Sequence, residues 1–581
     1  DPATGEHVTS DAYLSGDVRA KLVAARMAAG HDATYTRNVG ALEAVQPEDL
    51  LPSEIDARLG APWIPVAHVE AFARELFATQ EITLAHVPRE ALWSIKASYI
   101  ARQRPEATAD HGTDRMNGLD LLEAALNMRP VTILDEIKDG DTTRRVYNHA
   151  ATVAARDKLA GIRQRFAAWV WQDQTRAEEL VRCYNDRFNN LRLRTFDGSH
   201  LDFPGMSASI TLRPHQKAAI WRTMVAGNTL YAHVVGAGKT WTCVAAAMKL
   251  RQIGLARKPL IAVPNHLVEQ WGREARTLYP NARILVAAKE DCAQAGRKHL
   301  VARIATGDWD MVILAHSSFE RIAMSTAFQE TFIRARLAEY EELLTSLQAD
   351  KETGRLFVKR IEKRKAHYEQ RLEELAARAR KDDGLSFEDL GVDWLLVDEA
   401  HLFKNLETPT KMQGVAGIVS EGSQRAMDLL MKAQFLGLRR PGYGVTFATG
   451  TPISNSMTEL YTMLRFLAPA ALTVRGIAHF DAWAATFGEV VEVLELAPEG
   501  GGLRGRSRFA RFTNLPELLA MFAAVADVQT ADMLSLPTPK LQGGKPQVLV
   551  SPMEPQQAAL QGELIARFEA IRAGGVDPKD D

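Results

Sequence analysis

From residue 205 to 470 the chain alternates short apolar runs with stretches of helical spacing, the pattern of a parallel sheet covered by helices. Continuous apolar runs predict buried strands at Thr229–Val235, Pro259–Val263, Ala282–Ala287, Met311–Ala315, Trp394–Val397 and Val445–Ala448. One segment breaks the alternation. Ile333, Leu337, Tyr340, Leu344 and Leu347 step by four and three residues, and after DKETG (350–354) Val358, Ile361, Tyr368, Leu372, Leu375 and Ala379 continue such a seam. Two seams joined by a short turn predict an antiparallel helical hairpin over 331–383. It reads as a packed insertion capping a sheet edge, in preference to a lever or docking arm.

Upstream, the first thirty or so residues are helical in pattern, and LLPSEIDARLGAPWIP (50–65) is held extended by the prolines flanking Trp63 and Ile64. Val66–Thr79 predicts an amphipathic helix. Strands are expected at Leu92–Tyr99, Val131–Ile137 and Thr142–Tyr147, with DGD at 139–141 as a hairpin turn. From Thr152 to about Arg187 the spacing is helical again, with Leu159, Ile162, Phe166, Val170 and Leu180 on one stripe, and a loop at 197–206 closes that stretch. The GGGLRGR run at 500–506 reads as a short flexible loop, and Arg504, Arg506, Arg508 and Arg511 as a basic loop.

A length of 581 residues is too great for one core and implies several domains. With 46% hydrophobic and 24% charged residues, a mainly disordered chain is excluded. Lys+Arg 70 against Asp+Glu 72 leaves a net charge of -2, so any nucleic-acid contact has to come from a local strip. Cys183, Cys243 and Cys292 are widely spaced without CxxC pairing, which argues against a structural zinc site or a disulfide framework and fits a reducing cytoplasm. No apolar run approaches the length of a bilayer span, and no signal-peptide pattern opens the chain. The start at Asp1 instead of Met suggests a processed chain or a piece of a longer one.

The chemistry is concentrated at strand ends. Gly236-Ala237-Gly238-Lys239-Thr240 follows a strand and opens a helix. Glycines let successive backbone N–H groups turn toward a phosphate, and the helix start adds the positive end of its dipole. Lys239 would reach the β/γ-phosphates of ATP, and the Thr240 hydroxyl would hold Mg²⁺. The full eight-residue form of this loop has glycine where this chain has His233. Trp394–Val397 runs into Asp398-Glu399-Ala400-His401, placing two acids at the carboxyl edge of the sheet. Asp398 suits the Mg²⁺, and Glu399 suits orienting or deprotonating the attacking water; taken alone the pair is equally a capping pair at a helix start. Thr449-Gly450-Thr451-Pro452 ends a third run, where Thr449 and Thr451 suit a hydrogen-bonded relay from the nucleotide site.

In this order the motifs resemble a superfamily-two helicase or translocase, most closely the Swi/Snf type. Leu212-Arg213-Pro214-His215-Gln216 is similar to that family's adenine-recognition motif, which implies that Gln216 reads the base. Pro264-Asn265-His266-Leu267-Val268-Glu269-Gln270-Trp271 and Leu314-Ala315-His316-Ser317-Ser318-Phe319 resemble its backbone-contacting motifs, which implies DNA contacts from Asn265, His266, His316 and Ser317. DEAHLFKN (398–405) resembles the DEAH box, with His401 among its catalytic residues. The resemblance covers roughly 205–470. It implies an α/β fold with a RecA-like parallel sheet, ATP and Mg²⁺ as cofactors, and DNA as a sequence-independent partner. The organisation expected is a small α+β module (1–150), a helical connector (151–204), a RecA-like ATP-binding lobe (205–470) and the start of a second lobe or linker (471–581).

LGAPWIP (59–65), YNDRFNNLRLRTFDGSHLDFPGM (184–206) and HVVGAGKT (233–240) also resemble the middle of large phage- or plasmid-borne proteins that join an adenine-specific DNA methylase to such a motor. That implies a methylase domain and a second motor lobe as partners on a longer chain, in a bacterial cytoplasm. No Asn-Pro-Pro-Tyr string occurs here, so methylation by these residues themselves is not expected. No QxxGRxxR-like finger motif follows Pro452, so these residues alone are expected to bind ATP·Mg²⁺ and hydrolyse it poorly. An ATP-driven motor core is the first reading; a non-catalytic, nucleotide-dependent DNA-binding or docking module is the alternative.

Overall fold

Apolar runs flanked by helices on both faces have to find partners along their whole length, and here they do so in one seven-stranded parallel sheet. The computed structural model describes all residues except 140–141, 288–293, 349–354, 379–384, 413–414, 416–417, 419–421, 455–457, 497–502, 536–541, 546 and 573–581. The strands are β1 (Thr229–His233), β2 (Pro259–Val263), β3 (Ile284–Val286), β4 (Met311–Ala315), β5 (Trp394–Asp398), β6 (Val445–Thr449) and β7 (Ala526–Gln529). Their spatial order is β7-β1-β6-β5-β2-β4-β3, and every neighbouring pair is parallel. All ends that carry chemistry therefore lie on one edge.

Five of the strands are buried at every position. Successive side chains alternate between two cores. Tyr231, Ile261, Ile313 and Leu396 enter one core with α1 (Pro214–Ala226), α2 (Lys239–Gln252) and α3 (Val268–Leu278). Leu230, Leu260, Val312 and Leu395 enter the other, which continues into the helical hairpin and the N-terminal module.

The six expected strands are all present. The seventh, β7, is a polar Ala-Asp-Val-Gln edge strand, and it carries the sheet past the boundary expected at 470. The arginine-bearing stretch also differs from expectation. Leu503–Phe512 is a strand paired antiparallel with Gly488–Leu496, so the residues read as a basic loop are held in a ladder; of the loop expected at 500–506, residues 503–506 belong to that strand and 500–502 lie outside the described residues. Val490, Phe509 and Phe512 anchor this hairpin on the core, a signal hidden by the glycines between its strands.

The hairpin insertion comprises α4 (Thr326–Gln348) and α5 (Arg355–Arg378), with the expected turn at 350–354 outside the described residues. Ile333, Tyr340, Leu344, Ile361, Tyr368 and Leu375 are buried along its seam. Upstream, Ile82–Val87 pairs with Leu92–Ala97 and Leu134–Asp139 with Thr142–Tyr147, antiparallel in both cases. The second pair starts three residues later than its expected strand, because Val131 and Ile133 are buried outside any ladder. Helices His149–Trp169 and Gln174–Arg187 bury the expected stripe. This upstream part is fastened to distant residues by Asp56 N–H to Asn514 Oδ1 (3.0 Å), Tyr184 O–H to Glu517 Oε2 (3.1 Å) and Arg475 Nη2 to Asn190 Oδ1 (2.8 Å).

Candidate active site

The loop after β1 turns on Gly236 (φ 88°) and Gly238 (φ 84°), backbone states that a Cβ disfavours. Gly238 caps α2 without any side-chain acceptor, which leaves the amides of the first turn open to an anion. Thr240 is half-buried in that turn. Lys239 folds its ammonium back onto the His233 and Val234 carbonyls (3.0 and 3.4 Å). From α1, the His215 ring donates from Nε2 to the buried Ala237's carbonyl (2.9 Å), and Gln216 Nε2 donates to the Gly238 carbonyl (3.0 Å). Gln216 Oε1 in turn accepts from Arg213 N–H (2.8 Å). Gln216 is 3% exposed, and a Cβ on residue 238 would lie 2.7 Å from its amide nitrogen. The residue expected to read adenine is thus closed under the loop with both ends of its amide engaged.

The next two strands bring the acids and the hydroxyls to the same edge, since β6 lies between β1 and β5. Asp398 ends β5 and is buried. Burial first, and the neighbouring Glu399 second, push its carboxyl up to about 7, while Lys239 pulls the other way. A buried acid in that state is one that a bound cation would hold ionised. Glu399 sits in the left-handed region (φ 48°, ψ 47°), a strained conformation for a non-glycine residue at the site. His401 Nδ1 is 3.2 Å from Glu399 Oε2 and 2.9 Å from Thr449 Oγ1, which also accepts from Thr451 N–H (3.1 Å). A Cβ on Gly450 would come within 3.6 Å of Lys239 Nζ, so the strand end at 449–451 and the phosphate loop are in close approach.

The residues expected to meet DNA divide. Asn265 and His266 are exposed after β2, and Ser317 N–H donates to Asn265 Oδ1 (3.2 Å) across the gap to the end of β4. The expectation for His316 does not hold. It is 1% exposed, its ring donates to the Asp398 carbonyl (3.0 Å), and burial with the Arg425 charge lowers its pKa to about 4. It is a strut beneath the acid pair.

Sequence reasoning missed Asp527, His215, and the strap that follows the DEAH motif. Lys404 Nζ binds Ser454 Oγ (2.6 Å) and Glu459 Oε1 (2.8 Å) just beyond TGTP. Glu407 accepts from the hydroxyls of Tyr340 (2.9 Å) on α4 and Tyr368 (2.6 Å) on α5. Lys411 Nζ reaches the Ala91 carbonyl and Asn127 Oδ1 (3.0 Å) in the N-terminal module. None of these pairings has a local sequence signal; each joins residues far apart in the chain.

A family model described as a probable helicase domain matches residues 221–530, and one described as a domain of unknown function matches residues 58–190. The Defense against restriction protein B of Escherichia phage P1 is 22% identical over 459 residues, covering 72% of this chain and 20% of that protein. The chain therefore spans a fifth of that relative's length. Among solved structures, the Sulfolobus solfataricus SWI2/SNF2 ATPase core in complex with dsDNA matches with 14% identity and a TM-score of 0.31, over 57% of this chain and 46% of that one. The helicase-domain match spans more than half of the 581 residues, and the chain belongs to the probable helicase domain family.

Proposed function

We propose that the chain is an ATP-dependent DNA translocase or helicase motor core, in which ATP binding and hydrolysis are coupled to movement on DNA. The observation that carries this reading is that the ends of β1, β6 and β5, three adjacent parallel strands, gather Lys239, Thr449 and the Asp398–Glu399 pair at one edge. The uncapped start of α2 fits a phosphate chain, and the buried Asp398 with Thr240 fits Mg²⁺. Bound Mg²⁺ would supply charge neutralisation at the phosphates. Lys239 and the loop amides would hold the β/γ-phosphates, and Glu399, oriented by His401, would position the attacking water. Asn265, His266 and Ser317, over β2 and β4, would meet DNA backbone on the other half of the same edge. Residues 1–204 would serve as an accessory module on a lobe that runs from 205 through β7 at Ala526–Gln529. No helix among the described residues is long and apolar enough to cross a membrane. A motor that uses ATP and acts on DNA would work in the cytoplasm, where both are found.

Calorimetric titration with ATP·Mg²⁺ tests the reading. The wild type is expected to bind, and Lys239→Ala to bind at least about tenfold more weakly through loss of a charge-assisted phosphate contact. Equal affinity in the two proteins would overturn it.

A further inference from the structure

We infer that Asp527 is a positioning residue of the phosphate loop, holding His233 so that the loop keeps its nucleotide-binding shape. The inference rests on the nucleotide site proposed above and adds to it a residue 294 positions from His233.

His233 stands where the eight-residue form of the loop has its first glycine. A glycine there would bring no side chain. The histidine brings a ring that is wholly buried, packed between Tyr231 (centroids 5.5 Å, 25°) and His215 (5.8 Å, 73°). A buried ring N–H is costly without an acceptor. The His233 Nε2–H donates to Asp527 Oδ2 at 2.8 Å, and Nδ1 finds no hydrogen-bond partner among the described residues. Asp527 thus supplies the one polar anchor of the ring among the described residues. An orphaned lone pair at Nδ1 costs less than an orphaned N–H, so the carboxylate fixes the Nε2–H tautomer.

The same residue bears on the phosphate side through its backbone. The His233 carbonyl accepts from Lys239 Nζ, so a shift of His233 moves the lysine's seat. The ladder between β7 and β1 pairs Gln529 with His233, and Val234 N–H goes on to donate to the Gln529 carbonyl (2.9 Å), carrying the pairing into the loop itself. His215 and Gln216 hold the carbonyls of Ala237 and Gly238 from the upstream side. The loop is therefore braced from both directions in sequence, and β7 with Asp527 is the downstream brace. The Asp527 side chain keeps 17% of its exposure, so it reaches the buried ring from the rim of the sheet.

The test is a set of full-chain variants: Asp527→Ala, Asp527→Asn, His233→Gly and the His233→Gly/Asp527→Ala double variant. Two quantities are read: ATP·Mg²⁺ affinity by calorimetry, and amide hydrogen exchange of the nucleotide-free protein over residues 234–240 against β5. Asp527→Ala is expected to weaken ATP·Mg²⁺ binding about tenfold, the cost of one unmade buried hydrogen bond, and to speed exchange at 234–240 alone. Asp527→Asn, whose amide oxygen still accepts, is expected to behave as the wild type in both measurements. With glycine at 233 the ring is gone, and Asp527→Ala is expected to change neither quantity. An equal loss in both backgrounds, or faster exchange spread evenly through the sheet, would overturn the inference and leave Asp527 a general stabiliser of the edge. If His233→Gly does not fold, the comparison of Asp527→Asn with Asp527→Ala decides. A wild type that fails to bind ATP·Mg²⁺ would remove the proposed nucleotide site, whereas the exchange measurements would still judge the brace on their own.

Discussion

His401 Nδ1 lies 2.9 Å from Thr449 Oγ1, which joins the loop after the acid pair to the end of the neighbouring strand by a single side-chain hydrogen bond. Because Thr449 is fully buried, Thr449→Val keeps the packing and removes only the hydroxyl. ATP·Mg²⁺ binding is expected to be retained, and the DNA-stimulated phosphate release of the full-length motor to fall about tenfold, equivalent to roughly 1.4 kcal/mol in the barrier. Measuring release with and without duplex checks this; an unchanged stimulation would exclude the bond as a relay.

Glu399→Gln preserves the side chain's size and removes its basicity. Affinity for ATP·Mg²⁺ is expected to be retained, and any steady-state phosphate release to fall by about 10² or more, the usual worth of a positioned base. Turnover equal to the wild type's would strip Glu399 of its proposed role.

Binding to duplex DNA is expected to weaken steeply with salt and to be indifferent to sequence, since the exposed groups at this edge suit phosphate contacts. Asn265→Ala loses its own contact and frees Ser317 N–H, with an expected loss of about threefold to tenfold on every duplex tried. His316→Ala is expected to leave that affinity alone and to lower the thermal midpoint, because its ring supports the Asp398 carbonyl from inside. Fluorescence anisotropy over a salt series separates the two.

His86 in the N-terminal module stacks on Trp93 (centroids 3.7 Å, 11°), and burial, with the Lys411 charge second, lowers its pKa from 6.5 to about 3. The unfolded chain takes up this proton near 6.5, and the folded protein refuses it until about 3. The contribution to stability is therefore complete above 6.5 and is lost progressively as the pH falls toward about 3. His86→Phe keeps the stack and cannot titrate, so at pH 5 its urea stability relative to the wild type is expected to gain about 2 kcal/mol over the difference at pH 7.5. A difference independent of pH would refute the assignment.

The hairpin's two tyrosines converge on one buried carboxylate, that of Glu407. Tyr340→Phe with Tyr368→Phe removes both donors and is expected to lower unfolding free energy by about 2–3 kcal/mol, read from the denaturant midpoint.

What was legible in the sequence was whatever repeats locally. The strands β1, β2, β4, β5 and β6 are uninterrupted apolar runs because both faces of the sheet are covered, and Lys239, Asp398 and Thr449 could be placed at one edge because each follows such a run. β7 was illegible for the opposite reason: an edge strand is half exposed, and Ala-Asp-Val-Gln has no apolar run to show. His316 was misplaced because its motif fixes a position at the strand end but not the direction of the ring, which a carbonyl 82 residues away decides. Gln216 shows the same limit. Its motif was readable, whereas its engagement with Arg213 and Gly238 is a property of the folded loop.

The eight residues Lys404–Lys411 touch three bodies in turn: the segment after TGTP, the helical hairpin and the N-terminal module. An extended chain gains at most about 3.6 Å per residue, so the run has little slack with which to absorb relative movement of its three anchorages. It behaves as a measured spacer whose length matters more than most of its letters. A one-residue deletion between Lys404 and Glu407 would put the hairpin and the upstream module out of step with the acid pair together, even though every contacting side chain were still encoded.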